Sequence, residues 1–208
     1  MLEELRYGYF TFEIEALDDL ILPEYKGATF RGGFGYTFRR LVCITRQKNC
    51  ENCRLRLNCI YAYIFETPPL EETKHFPNLL TPVKPFVIEP PTQKERLVPS
   101  GTSLSFRLVL VGKALEYLPY FIFAFAQLGE TGLGKGRGRY KLYRVLDAAG
   151  ECVYNIAKNS KGELKNKWAV LTGERAFSPG LPVRPVLNFL TPTRLRTQGH
   201  LTSQLDFP

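Results

Sequence analysis

The residues with the clearest chemical potential form a glycine- and arginine-rich run in the second half of the chain. Every second residue from Gly132 to Gly138 is glycine, and cations occupy three of the positions between and after the glycines. Glycine allows positive φ and removes side chains that block close approach. Backbone N–H groups in such a loop can cradle a phosphate, and neighbouring cations strengthen the attraction. The candidate ligands for a sugar-phosphate backbone are Gly132, Gly134, Lys135, Gly136, Arg137, Gly138 and Arg139.

Other glycine-rich phosphate sites fit this run poorly. The dinucleotide-binding fingerprint needs a strand before its glycines and a helix after them. Here an apolar helical segment precedes the glycines and a strand-like segment follows them. The P-loop is also excluded, because its Gly-Lys-Ser/Thr ending is missing. A tight turn without a ligand is the alternative that stays open.

The distribution of charge singles out the same run. The net charge is +8, and residues 1–131 hold 15 Lys/Arg against 15 Asp/Glu. Residues 132–208 hold 13 Lys/Arg against 5 Asp/Glu, so the excess of positive charge begins at the glycines. A second basic stretch, from Tyr25 to Ala62, holds eight cations and one acid, Glu51. These imbalances favour an anionic partner, with a solvated basic surface as the alternative.

Four cysteines form a second group with possible chemistry. Cys43, Cys50, Cys53 and Cys59 follow the pattern C-x6-C-x2-C-x5-C. Four thiolates on a short loop can surround zinc tetrahedrally, and a CxxC pair supplies two ligands from one tight turn. An iron–sulfur cluster and unligated thiols are the alternatives. We therefore expect at most a structural zinc ion.

The chain between these motifs alternates between strand and helix patterns. Residues 7–16 alternate apolar and polar side chains, as a half-buried strand does. Phe30, Phe34 and Phe38 place an apolar stripe on a helix from Lys26 to Val42. The same periodicities predict the remaining elements: strands at Pro85–Glu89, Leu104–Leu110 and Tyr140–Leu146, and a helix at Glu116–Leu128 bounded by Pro119 and Gly129. This order predicts an α+β, ferredoxin-like βαββαβ unit, with two helices on one face of an antiparallel sheet.

The same patterns divide the chain into three predicted segments. The first is the ferredoxin-like domain, the second an appended β-hairpin with its linker, and the third the start of a second unit that is left incomplete. The ferredoxin-like domain spans residues 1–147, with a cysteine-rich insertion at 43–60 and a long loop at 66–82. The hairpin and linker span residues 148–180, with strands at Cys152–Ile156 and Lys167–Leu171. The incomplete unit spans residues 181–208 and opens with the strand Val183–Leu190.

Three stretches, together with the helix–glycine loop–strand order, carry a resemblance to a known family. They are Gly27-Ala-Thr-Phe-Arg-Gly-Gly-Phe-Gly35; Cys50-Glu-Asn-Cys53 followed by Cys59-Ile-Tyr-Ala-Tyr-Ile-Phe-Glu66; and Leu118-Pro-Tyr-Phe121. Over about residues 5 to 195 the chain resembles the RAMP superfamily of CRISPR-associated RNA-binding proteins. Within that superfamily it resembles the sixth CRISPR-associated family, the endoribonucleases that process precursor CRISPR RNA. The resemblance implies CRISPR repeat RNA or crRNA as a partner, other Cas proteins as further partners, and no small-molecule cofactor.

The resemblance also implies metal-independent cleavage, in which a ribose 2′-hydroxyl attacks the adjacent phosphate. Such chemistry needs a general base, a general acid and a cation. Many relatives carry a histidine on or just after the first helix, and Lys26 to Cys59 contains none. The catalytic candidates are therefore His75, Tyr36 and Lys26. A solvated His75 and a Tyr36 packed beside Phe34 and Phe38 are the alternatives.

Three functions stay open at this point. The first is the endoribonuclease, and the second is a noncatalytic RAMP subunit that holds crRNA in an effector complex. The third is a zinc-stabilised interaction module without an RNA role. For the first two, Arg31, Arg39 and Arg40 join the glycine run as candidate RNA ligands. No apolar run reaches the roughly 18 residues of a membrane span, and the acidic start carries no signal-peptide pattern, so we expect a cytoplasmic protein.

Overall fold

The computed structural model of the chain describes residues 5–47, 49–66, 83–156, 163–164, 170–172, 195–197 and 200–202. The chain divides into two compact units, Met1–Ser178 and Pro179–Pro208. Most of the predicted loop at 66–82 and all of the predicted strand Val183–Leu190 lie outside the described residues. The predicted domain bounds stay predictions.

The first unit is built on one antiparallel sheet. Its elements are β1 (Arg6–Ala16), β2 (Leu20–Ile21), α1 (Gly27–Val42), β3 (Phe86–Glu89), β4 (Leu97–Val98), β5 (Ser103–Val111), α2 (Leu118–Thr131), β6 (Tyr140–Leu146), β7 (Cys152–Asn155), β8 (Glu163–Leu164) and β9 (Leu171–Thr172). The strands of the main sheet run in the order β3-β5-β1-β6-β7-β8, and every pairing is antiparallel. With β1 and β5 in the centre and α1 and α2 as the crossovers, this is the predicted ferredoxin-like βαββαβ unit.

Phenylalanines fill the space between the sheet and the two helices. The alternation in β1 buries Phe10 and Phe12 completely, and α1 buries Phe34 completely. The Phe34 ring stacks on Phe121 and Phe125 of α2, with centroids 5.0 and 4.7 Å apart. Because every third or fourth residue of α1 reaches this layer, the opposite face of α1 is left to face solvent or a ligand.

Helix α2 and the appended hairpin differ from their predicted bounds. Gly129 was expected to end α2, but the helix continues to Thr131 and Gly129 lies within it. A Cβ at Gly129 would lie 2.2 Å from the Tyr140 carbonyl oxygen, so glycine is needed there for close packing of β6. The hairpin partner of β7 is β8 rather than the predicted Lys167–Leu171 strand, and β9 instead pairs with Arg6 and Tyr7 of β1.

Several short elements complete the structure. Strands β2 and β4 form a separate two-stranded ladder. A 3₁₀ helix at Gly112–Tyr117 leads into α2, and a π-helix spans Ala62–Glu66. In the second unit, β10 (Leu195–Thr197) and β11 (His200–Thr202) pair with each other antiparallel. None of the helices in the described part of the chain is long and apolar enough to cross a membrane.

Candidate nucleic-acid interface

The glycine run forms a tight loop between α2 and β6 that is tied to strand β2. The amide of Leu133 donates to the Gly138 carbonyl at 2.9 Å, and the amide of Lys135 donates to the Ile21 carbonyl at 2.9 Å. Gly132, Gly134 and Gly136 have φ of 87°, 78° and 84°. The described residues offer no acceptor to the amides of Gly134 and Gly136, so both donors are available to a ligand.

Three of the four glycines are needed by the protein's own packing. A Cβ at Gly134 would lie 2.3 Å from the Ile21 carbonyl oxygen, and one at Gly138 would lie 2.5 Å from that of Asp19. A Cβ at Gly132 would lie 2.1 Å from the Arg137 carbonyl oxygen, whereas one at Gly136 would meet open space. Gly134 and Gly138 therefore allow close backbone contact with the β2 region, and Gly132 allows a close contact within the loop. Of the four, only Gly136 has open space at the position of a Cβ.

The three cations of the loop are not equivalent. Arg139 forms a two-pronged ion pair with Asp18, with its Nε 2.8 Å from Oδ2, and its backbone amide donates to the same carboxylate. These hydrogen bonds lower the pKa of Asp18 below its ordinary value. Lys135 and Arg137 are exposed and form no ion pair within the described part of the chain. Arg139 thus attaches the loop to Asp18, whereas the charges of Lys135 and Arg137 can interact with a ligand.

A cleft of about 800 Å³ opens between this loop, α1 and the β2–β4 ladder. Four exposed cations line it, and no Asp or Glu does so among the described residues. None of the four takes part in an ion pair with a residue that the structure describes. The four cations are Arg40, Arg96, Lys135 and Arg137. A concave surface with several uncompensated positive charges suits a polyanion.

An aromatic platform lies in the wall of the same cleft. Tyr36 is 66% exposed, and the guanidinium of Arg40 lies 5.6 Å from the centre of its ring. The interpretation of Tyr36 as an aromatic packed beside Phe34 and Phe38 is therefore wrong, because those two rings are buried whereas Tyr36 is exposed. Both Tyr36 and Arg40 also line an adjoining hollow of about 410 Å³ that includes Arg39 and Arg46. The pair can stack a base while the cations meet phosphates.

The other predicted RNA ligands on α1 have protein partners away from the cleft. Arg31 lies over the Phe86 ring, 4.6 Å from its centre. Arg39 contacts the Tyr61 ring and donates to the Gln47 carbonyl in the cysteine-rich segment. Of the three arginines, only Arg40 lines the large cleft.

The catalytic candidates are not brought together. Tyr36 lines the cleft, but Lys26 is completely buried at the start of α1, and its Nζ donates to the carbonyls of Glu24 and Gln93. Burial lowers the pKa of Lys26. His75 lies outside the described residues. Arg96 was not predicted as a cleft residue, because it is far from α1 and from the loop in the sequence.

The four predicted zinc ligands surround one small cavity. Cys43, Cys50, Cys53 and Cys59 all line a space of about 230 Å³ and are all free thiols. Burial raises the pKa of Cys50. Within the described ranges, no three Cys, His, Asp or Glu side chains are grouped closely enough to hold a metal ion in this conformation. The structure therefore gathers the cysteines around a common space without bringing their sulfurs to a common point.

This chain is similar to a sequence family, to a protein of known sequence and to solved structures. The sequence model of the AF_1859_N family, described as an N-terminal domain, matches residues 5–169. An uncharacterized protein of Archaeoglobus fulgidus is 29% identical over 135 residues, which make up 64% of this chain and 44% of that protein. The chain thus spans less than half of the length of this relative.

Among solved structures, the crystal structure of the Csm3-Csm4 subcomplex in the type III-A CRISPR-Cas interference complex matches with a TM-score of 0.42. The sequences are 15% identical, and the match covers 70% of this chain and 79% of the other. The family model covers more of this chain than the match to the solved structure does. It includes α1, the cysteine-rich segment, α2 and the glycine loop. The chain belongs to the AF_1859_N family of N-terminal domains.

Proposed function

We propose that this chain binds RNA, as a CRISPR-associated protein of the RAMP type, and that the cleft beside the glycine loop is the binding site. The observation that carries the proposal is a set of four cations around one concave surface, Arg40, Arg96, Lys135 and Arg137, none of which forms an ion pair with a described residue. The resemblance of the sequence to RAMP proteins supports RNA as the polyanion. CRISPR repeat RNA or crRNA is the proposed ligand, and other Cas proteins are the proposed partners.

The cleft supports recognition of a single-stranded or stem-loop segment. The amides of Gly134 and Gly136 have no acceptor among the described residues, and together with the charges of Lys135 and Arg137 they suit phosphate oxygens. Tyr36 is placed to stack an unpaired base, which a continuous duplex would keep inside its own stack. Binding through phosphates and stacking then explains why the cleft combines cations with one exposed ring.

The test is fluorescence anisotropy with a labelled CRISPR repeat RNA and the whole chain. The triple variant Arg40→Ala, Lys135→Ala, Arg137→Ala is expected to bind at least about 100-fold more weakly, because each phosphate contact contributes to affinity. The matched control is Arg107→Ala, which removes one exposed charge that pairs with Glu89 away from the cleft. Unchanged affinity in the triple variant contradicts the proposed site. Affinity without salt dependence in the wild type favours an interaction module without an RNA role.

Cleavage of the bound RNA is the second candidate function, and the position of Tyr36 favours it. In the proposed step a 2′-oxygen attacks the adjacent phosphorus and the bond from phosphorus to the 5′-oxygen breaks. The 2′-hydroxyl loses its proton to a base, and the leaving 5′-oxygen receives one from an acid. The Tyr36 hydroxyl is a candidate for one of these roles, and Arg40 beside it is a candidate to stabilise the charge on phosphate. His75 stays a candidate for the other role.

Two substitutions at Tyr36 separate binding from cleavage. Tyr36→Ala is expected to weaken RNA binding by about 1–3 kcal/mol, because a stacked base loses its platform. Tyr36→Phe keeps the ring, so it is expected to bind normally and to lose cleavage only if the hydroxyl acts in the reaction. The assay is incubation of repeat RNA in EDTA, followed by analysis for a product that ends in a cyclic phosphate. Absence of that product from wild-type protein that binds the RNA favours a noncatalytic RAMP subunit that holds crRNA.

A further inference from the structure

The cysteine-rich segment, residues 43–60, has no hydrophobic core of its own. Ile44 and Leu57 are both 84% exposed, and Leu55 is exposed as well. No residue that the structure describes within 43–60 is fully buried. The partly buried ones are Cys43, Cys50, Cys53, Arg56, Cys59 and Ile60. The side chains that face inward in this segment are therefore chiefly its four cysteines.

A segment of this kind needs a cross-link to hold one conformation. Short stretches of chain cannot bury enough apolar surface to offset the loss of conformational entropy, and disulfides or a bound metal commonly stabilise them. The four cysteines are present as free thiols. Their shared cavity of about 230 Å³ lies where a core would otherwise be.

Local contacts already orient the thiols toward this cavity. The Thr45 hydroxyl lies 3.9 Å from the Cys43 sulfur and 3.6 Å from the Cys53 sulfur, so these two thiols flank one group. The Cys53 amide donates to the Cys50 carbonyl at 3.2 Å, which closes the tight turn of the CxxC pair. Cys59 follows a 3₁₀ helix at Arg56–Asn58 and lines the same cavity.

An unsatisfied donor in the cavity wall points to a missing acceptor. The Nε of Arg56 is buried and is the one buried side-chain polar atom without a partner among the described residues. Arg56 lines the same cavity as the four thiols. A neutral thiol is a weak acceptor, whereas a thiolate bound to a cation accepts N–H donors well. A thiolate centre would therefore supply the partner that Arg56 lacks.

We propose that Cys43, Cys50, Cys53 and Cys59 bind one Zn²⁺ as a tetrahedral tetrathiolate that serves as the core of this segment. Binding displaces four thiol protons and changes no oxidation state, and it leaves a centre with two negative charges. Arg56, together with Arg39 beside Cys50, offsets that charge. The sulfurs draw together on binding, as expected where metal binding and local folding are coupled. This inference does not depend on the RNA-binding proposal.

The first test is elemental analysis of the whole chain purified without added metal. About one zinc per chain is expected, because a site with four protein ligands is closed and retains its ion. Replacement by Co²⁺ is expected to give the intense thiolate-to-cobalt absorption of a tetrahedral site. Less than about a tenth of an equivalent of any metal, together with four freely reactive thiols, overturns the proposal. Iron with matching sulfide, or disulfides in the unreduced protein, overturns it equally.

Variants then assign the ligands. The double variant Cys50→Ser, Cys53→Ser is expected to lose its zinc and to melt at a lower temperature than the wild type. The matched control, Cys152→Ser, removes a thiol of β7 that donates to the Tyr154 carbonyl, and it is expected to keep one zinc per chain. Full zinc content in the double variant overturns the assignment. Should the double variant be insoluble, the metal content and cobalt spectrum of the wild type decide the question.

Discussion

At the scale of single residues, arginines close together in the sequence have different roles. Arg139 is committed to Asp18 through its side chain and its backbone amide. Arg137 adopts a φ of 53°, which is uncommon for a residue other than glycine, and lines the cleft. On α1, Arg39 faces the cysteine-rich segment while its neighbour Arg40 faces the cleft. Charge in the sequence therefore marks the region of the interface, and the partners of each side chain decide which charges are available.

This difference gives a prediction for two single variants. Arg137→Ala is expected to weaken RNA binding and to reduce the slope of log affinity against log salt by about 0.7, because one phosphate contact on a single strand is lost. Arg139→Ala is expected to keep that slope and to lower the melting temperature slightly, because it releases Asp18 and loosens the loop. Salt titrations by anisotropy and thermal unfolding measure the two effects. Equal changes of salt slope in both variants would show that Arg139 also contacts phosphate.

At the scale of elements, the glycine loop depends on its contact with β2. Gly134 and Gly136 have nearly the same positive φ, but only Gly134 faces a backbone atom, the Ile21 carbonyl oxygen. Gly136→Ala is expected to cost about 1–2 kcal/mol of unfolding free energy from the backbone conformation alone. Gly134→Ala is expected to cost about 1–3 kcal/mol more, because its Cβ must push the loop away from β2. Urea unfolding of the two variants measures the difference, and equal losses would contradict the role of this contact.

The buried Tyr140 joins the two elements that flank the loop. Its hydroxyl donates to the Phe125 carbonyl of α2 at 2.7 Å, and burial raises its pKa well above the ordinary value. The folded state therefore holds the proton more tightly than the unfolded state, so this contribution to stability is complete below about pH 10 and is lost as pH rises further. Tyr140→Phe is expected to cost about 1 kcal/mol at neutral pH and to lose stability less steeply above pH 10. Urea unfolding from pH 8 to 11 compares the two proteins, and parallel curves would contradict this assignment.

The elements were predictable where their signal is local. The alternation in β1 and the phenylalanine stripe of α1 reflect which face of each element meets the core. Both patterns can be recognised in a short stretch of sequence, without knowledge of distant contacts. The ladder of β2 and β4 and the pairing of β9 with β1 depend on which distant strands meet, and periodicity contains no such information. The lining of the cleft could not be predicted in full for the same reason. Arg96 immediately precedes β4, and the pairing of β4 with β2 places Arg96 at the cleft.

At the scale of the whole molecule, ion pairs neutralise two arginines of the sheet, whereas the four cleft cations form no ion pair with a described residue. On the face of the sheet away from the helices, Arg107 pairs with Glu89 and Arg144 pairs with Glu13. The opposite charges within each ion pair largely cancel, so these arginines attract a polyanion only weakly. The whole chain has a net charge of +8, and within its described part the cleft gathers four cations on one concave surface that no Asp or Glu lines. An RNA strand should therefore be attracted to this cleft more strongly than to the paired arginines of the sheet.

The number of cations in the cleft determines how strongly salt should weaken RNA binding. Each phosphate contact on a single strand contributes a slope of about −0.7 in log affinity against log salt. The four cleft cations therefore predict a slope of about −3 for the wild type. The triple variant at Arg40, Lys135 and Arg137 should retain a slope of about −1, because Arg96 is left as a phosphate contact. Anisotropy titrations between 50 and 400 mM salt measure both slopes. A wild-type slope well beyond −3 that the triple variant keeps would mean that the RNA is held by cations outside the cleft.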